Sequence, residues 1–112
     1  MKRVECIIRP SRLVDLKNSL AALGVNGMTV IEAGGFGRQR GFTGMYSGDD
    51  YQVDLVPKLI VIVVVHDTMV DRVLDSVREK CYTGEVGDGK VFVYPVEQAM
   101  RIRTGDKGEN AV

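Results

Sequence analysis

The chain has 112 residues, enough for one hydrophobic core and too few for two. Lysine plus arginine and aspartate plus glutamate balance at 15 each, which leaves no basic excess for a nucleic-acid binder and no acidic tail. The longest apolar run, LIVIVVV at Leu59–Val65, falls far short of a membrane span, and MKRVECIIRP lacks the apolar centre of a secretory leader. Cys6 and Cys81 sit in apolar patterns without CxxC spacing, so two buried reduced thiols and a cytoplasmic location are expected.

In chain order, VECIIRP reads as a short strand stopped by Pro10. Ser11 is the expected cap of a helix with Leu13, Leu16, Leu20 and Leu23 on one face, stopped by Gly24. MTVIEA, Met28 to Ala33, is a second strand, and LIVIVVV a third. Asp67 or Thr68 is the expected cap of a second helix carrying Val70, Val73, Leu74, Val77 and Cys81. VFVYPV is a fourth strand, followed by the polar tail RIRTGDKGENAV. The order β-α-β-β-α-β predicts a single α+β domain over residues 1–112 with the ferredoxin-like arrangement. In that arrangement helices cover one face of the sheet. Both faces of the third strand are apolar, Leu59, Val61, Val63 and Val65 on one, Ile60, Ile62 and Val64 on the other. A face that met water would alternate to polar residues, so a second copy of the chain is the expected cover, and an obligate homo-oligomer follows.

Three segments carry the chemistry. TGEVGDGK, Thr83 to Lys90, matches a phosphate-binding P-loop up to its last position, but Val91 stands where Ser or Thr would hold Mg²⁺, and a strand follows instead of a helix. What survives is glycine-rich backbone able to turn amides toward an anion, closed by the Lys90 charge; the plain alternative is a tight turn with a solvated lysine. The stretch from about Gly37 to Pro57 is too long for a simple strand connection and is therefore a candidate functional loop. It holds Arg38, Gln39, Arg40 and the sequence Asp49-Asp50-Tyr51. Tyr51 is either a contact or modification site or packs on its own loop, and Lys58 is either an edge gatekeeper or a ligand-binding ammonium. In the tail, Arg101 and Arg103 alternate, so an extended segment would point both guanidiniums one way, toward phosphate oxygens or toward solvent.

GFGRQ at Gly35–Gln39, DDYQVDLVPK at Asp49–Lys58, TGEVGDGKVFV at Thr83–Val93 and RIRTGDKGENA at Arg101–Ala111 together resemble the PII nitrogen-regulatory signal proteins over essentially the whole chain. The resemblance implies a homotrimer with ATP or ADP bound in clefts between subunits. Gly87, Asp88, Gly89 and Lys90 would cradle the phosphates, and Arg101 and Arg103 would reach them from the neighbouring chain. Gly35, Phe36, Gly37 and Arg38, with Thr29 and Val64, would line the rest of the site. With ATP, Gln39 would ligate Mg²⁺ and Lys58 would pair with a carboxylate of 2-oxoglutarate. The long segment, about 37–57, corresponds to the T-loop, which would dock on a target enzyme, transporter or regulator, and Tyr51 matches the residue that a nucleotidyltransferase modifies in many relatives.

The chain departs from that pattern at Arg40, Phe42, Gly44 and Ser47, where many relatives carry Lys, His, Glu and Arg, so the partner contacted by the loop tip is open. Asp49 stands where some relatives phosphorylate a serine, Ile60 and Ile62 where charges are common, and Tyr82 where an arginine often precedes TG. Two other classes share features with the chain. An RNA-recognition domain has the same element order, but VECIIR and LIVIVVV lack its base-stacking aromatics. A small phosphotransferase or ATPase is the alternative reading, with His66, the single histidine, as its one candidate acceptor; a surface or capping role suits that residue better, and no enzyme activity is expected.

Overall fold

The computed structural model describes residues 1–36 and 55–112. Gly37, Arg38, Gln39 and Tyr51 therefore lie outside the described residues. Four strands, β1 (Lys2–Ile8), β2 (Thr29–Gly35), β3 (Val56–Val65) and β4 (Lys90–Pro95), form one antiparallel sheet in the order β2-β3-β1-β4. Helix α1 (Leu13–Ala22) connects β1 to β2 and α2 (Val70–Cys81) connects β3 to β4. This is the ferredoxin-like α+β fold anticipated from the element order.

Both helices cover one face of the sheet. Val4, Cys6 and Ile8 from β1 and Val61, Val63 and Val65 from β3 pack there against Leu16 and Leu20 of α1 and Val73, Val77 and Cys81 of α2. Leu13, Leu23, Val70 and Leu74 close the edges of that core. The Ser19 and Ser76 hydroxyls meet where the two helices cross. Cys6 and Cys81 are free and buried, and burial pushes the Cys6 thiol up to about 12. Helix α1 ends as expected at Gly24, whose φ of +90° allows the Gly24 amide to donate to Ala21 (3.0 Å) and the Val25 amide to Leu20 (3.1 Å).

The helix starts differ from the capping expected of them. A 3₁₀ turn, Pro10–Arg12, precedes α1, so its N-cap position falls on Arg12 and Ser11 caps nothing. A second 3₁₀ turn, Asp67–Met69, precedes α2, and neither Asp67 nor Thr68 caps it. In both cases the turn moves the helix start beyond the candidate side chain. The tail also differs. Arg101 and Arg103 are not on an extended segment: Arg101 donates its amide to Asp106 (2.8 Å) and accepts from Gly105 (2.7 Å), closing a turn between Met100 and Lys107.

The second face of the sheet carries Ile7, Ile31, Ile60, Ile62, Val64 and Phe92 by strand register. Among the described residues nothing covers it, and Ile31 and Phe92 remain 46% and 43% exposed. Its polar members include Thr29, Lys58 and Lys90 and a cluster on β1 and β4, where Glu5 accepts from Arg3 and from the Tyr94 hydroxyl, each at 2.9 Å.

Candidate functional site

The β1 registers build the site. Ile7 pairs with Lys90 on one side and Ile8 with Leu59 on the other. Continuing both by one or two residues places Arg9 between Lys58 and Asp88 at one end of the sheet. Three charged side chains, Lys58 in β3, Arg9 just after β1 and Asp88 just before β4, thus meet beside the glycine loop.

Asp88 organises that loop. Its carboxylate accepts from the Thr83 amide (2.8 Å), the Thr83 hydroxyl, the Gly84 amide (2.9 Å) and Arg9 Nε (3.1 Å). These donors, the Thr83 hydroxyl first, hold the carboxyl well below the usual carboxylate range. Arg9 also donates to the Val86 carbonyl (3.0 Å). Gly84, Gly87 and Gly89 all take positive φ. Gly89 has a second constraint, since a Cβ there would sit 1.7 Å from the Ile7 carbonyl oxygen. Lys58 is 8% exposed and donates to the Gly87 carbonyl. Burial, then the nearby Arg9 charge, lowers its pKa, with Asp88 opposing.

A cavity of about 770 Å³ opens here on the helix-free side of the sheet, within the range of small-ligand sites. It brings together Gly35, Phe36, Lys58, Gly87, Asp88, Gly89 and Lys90, seven of the site residues named from the sequence. Thr29 and Val64 are not among them. Thr29 pairs with Ile62, and Val64 lies six residues along β3 from Lys58, roughly 20 Å away at strand spacing. Arg101 and Arg103 belong to the same far end. The Val96 amide donates to the Met1 carbonyl (3.2 Å) and the Gly108 amide to Ala99 (2.9 Å), while Glu109 contacts His66 and the Met1 ammonium. His66 is therefore a partly exposed tail contact.

Sequence reasoning missed Arg9 and the structural role of Thr83. The available signal was the register: with β1 between β3 and β4, Arg9 must face the loop end. Among the described residues there is no cluster of three metal-ligating side chains, and no helix is long and apolar enough to cross a membrane.

The family model described as nitrogen regulatory protein P-II matches residues 1–106. Proteins named nitrogen regulatory protein P-II from Azospirillum brasilense, Haemophilus influenzae and Microchaete diplosiphon are 47%, 48% and 52% identical to this chain over 112 residues, covering all of both chains in each case. The sheet order, the organised glycine loop and these full-length matches agree, and the chain belongs to the nitrogen regulatory protein P-II family of signal-transduction regulators.

Proposed function

We propose that the chain is a ligand-reading subunit that binds ATP or ADP between two copies of itself and signals through residues 37–57. The observation that supports this best is the division of the site. The loop-end cavity gathers Gly35, Phe36, Lys58 and Gly87–Lys90, whereas Thr29, Val64, Arg101 and Arg103 sit at the far end of the same sheet. One nucleotide cannot touch both sets within one chain, but it can do so where the loop end of one copy meets the tail end of the next. A cyclic homotrimer closes such head-to-tail contacts, and the apolar face that the described residues leave open gives the copies a surface to bury.

The loop chemistry fits a phosphate chain. The amides of Gly87 and Asp88 donate to no acceptor among the described residues, Lys58 and Lys90 bring positive charge to the cavity, and Arg9 offsets the Asp88 charge beside it. Asp88 is the builder of this cradle, because its own oxygens are already engaged. Mg²⁺ takes oxygen ligands, largely phosphate and water at nucleotide sites; Gln39 is its proposed protein ligand. In this reading Lys58 exchanges the Gly87 carbonyl for a carboxylate of 2-oxoglutarate. A ligand biases a conformational equilibrium only by its differential affinity for the states. ATP, Mg²⁺ and 2-oxoglutarate therefore hold the base of the 37–57 segment in one arrangement, and ADP releases it. The output is regulation of an enzyme, transporter or regulator in the cytoplasm, without catalysis by the chain and with Tyr51 open to a nucleotidyltransferase.

Calorimetric titration of 2-oxoglutarate in Mg²⁺, once with ATP and once with ADP, tests the ligand set. Binding with ATP alone is expected, and Gln39→Ala should lose it while ADP binding persists. ATP turnover at ordinary enzyme rates would instead support the phosphotransferase or ATPase reading.

A further inference from the structure

The glycine loop has a second side. On the helix-covered face, a cavity of about 490 Å³ lies between the last turns of α2 and the start of β4. Leu74, Val77, Ile8 and Val91 give it an apolar floor, while Arg78 and Glu85 stand on its wall. The adjoining loop-end cavity opens on the opposite face around Lys58 and Phe92. The two meet at the loop, sharing Ile7, Glu85, Val86, Asp88, Gly89 and Lys90, whereas Leu74, Val77, Arg78 and Tyr82 line this cavity alone.

The charged residues of this cavity are of both signs. Among the described residues, neither Arg78 nor Glu85 is in an ion pair. Arg78 is held in place by Tyr82, its guanidinium 4.5 Å from the ring centroid, a cation–π contact that leaves the guanidinium edge available to a carboxylate. Glu85 is fixed at its backbone, where its amide donates to the Thr83 hydroxyl (3.1 Å). An apolar recess with one cationic and one anionic group matches a ligand that is apolar at one end and zwitterionic at the other.

We propose that this cavity binds an apolar α-amino acid, its carboxylate on Arg78, its ammonium on Glu85, and its side chain against Leu74, Val77 and Val91. An aromatic side chain uses the volume best, because a cavity near 490 Å³ exceeds what a small aliphatic residue fills. The proposal stands apart from the nucleotide reading because Leu74, Val77 and Arg78 line this cavity and not the loop-end one, while Glu85 lines both. It would act on the loop from behind, through the backbone that Asp88 holds.

The test is a titration of L-phenylalanine into the full chain, read by calorimetry and by amide shifts at Gly84, Glu85 and Val86. Phenylpropionate and phenethylamine, each lacking one charge, serve as comparison ligands. Saturable binding is expected, weakened about tenfold for either comparison ligand and about tenfold by Arg78→Gln or Glu85→Gln, the scale of one charge-assisted hydrogen bond. Leu74→Trp, which fills the recess, should abolish it. Both charged positions are solvent-facing, and thermal melts of the variants establish that each is folded. Absence of saturable binding by the parent chain would overturn the proposal. So would binding that Leu74→Trp leaves unchanged, or binding that is indifferent to both charge variants.

Discussion

At the glycine-loop end one carboxylate, Asp88, gathers donors from Thr83, Gly84 and Arg9 around partly buried atoms, whereas at the tail end Glu109 and Asp67 meet His66, Lys2 and the Met1 ammonium largely in solvent. The first arrangement fixes backbone. Its donors are main-chain amides and an arginine that also holds the Val86 carbonyl, so moving Asp88 releases several groups together. The second joins side chains at the surface, where ion pairs are screened and contribute little. The loop is thus prebuilt within one chain, while the tail is positioned weakly and can adjust to a neighbouring copy. A ligand bridging two chains would meet one rigid wall and one compliant wall.

The most severe way to break this contrast is at Gly89. Its φ of +96° and the 1.7 Å approach to the Ile7 carbonyl leave no place for a Cβ. Gly89→Ala must unzip the start of β4 from β1 or shift the loop, at about 2–4 kcal/mol of stability. Urea denaturation measures this, and an unchanged midpoint would show that the loop is not rigidly seated. Gly105, with φ of +75° but open space around its Cβ position, is the matched control at the tail end. Gly105→Ala meets backbone strain alone and should cost about 1 kcal/mol.

Asp88→Asn is the next largest. One amide cannot accept from all the donors that the carboxylate accepts, so the loop should loosen and the urea midpoint fall by less than for Gly89→Ala. Its pH dependence has a definite sign. The folded-state pKa of Asp88 is depressed, so its stabilisation is fully present above the unfolded value near 4 and is lost as pH falls through the folded value. Asp67 and Glu109 are also depressed, by the Met1 ammonium and by His66 first, and they titrate in the same window. The diagnostic quantity is therefore the parent-minus-variant difference, which should shrink as pH is lowered below 4.

Lys58 separates stability from function at the rigid end. Its pKa is lowered by burial and by Arg9, so the folded chain releases this proton before the unfolded chain does. Stability therefore rises with pH between the folded and unfolded values, and at neutral pH the buried charge is a burden. Lys58→Met removes that burden and leaves the Gly87 carbonyl without its donor. These oppose each other, and the variant should fold within about 1 kcal/mol of the parent while losing most of its response to 2-oxoglutarate.

The two ends also differed in how readable they were. The apolar run LIVIVVV and the leucines of α1 announced the sheet core and the helix because burial imposes periodicity. TGEVGDGK announced its loop through glycines that only positive φ explains. Arg9 was silent, since its partner Asp88 is distant in sequence and becomes adjacent only through strand pairing. Ser11 and Asp67 looked like caps because side-chain type is local information, but whether a 3₁₀ turn intervenes depends on how the helix docks on the sheet. The alternate arginines of the tail would point one way only on an extended segment, yet Gly105 closes a turn there. Polar segments carry no burial pattern to correct such a reading.

The smallest expected effect lies at Glu109, and it tests the compliant end directly. Glu109→Gln weakens the contacts to His66 and the Met1 ammonium, both exposed, so the global urea midpoint should not move resolvably. The local consequence should be visible. The Gly108 amide donates to Ala99 and the Val112 amide to Glu109, and their exchange protection depends on the tail remaining docked. Several-fold faster hydrogen exchange at Gly108 and Val112, with no change at Thr83 or Gly84, is the expected pattern, because local opening can occur far below the free energy of global unfolding. Equal acceleration at both ends would mean that they open as one cooperative unit, and the tail could then not adjust to a neighbouring copy while the loop stays fixed.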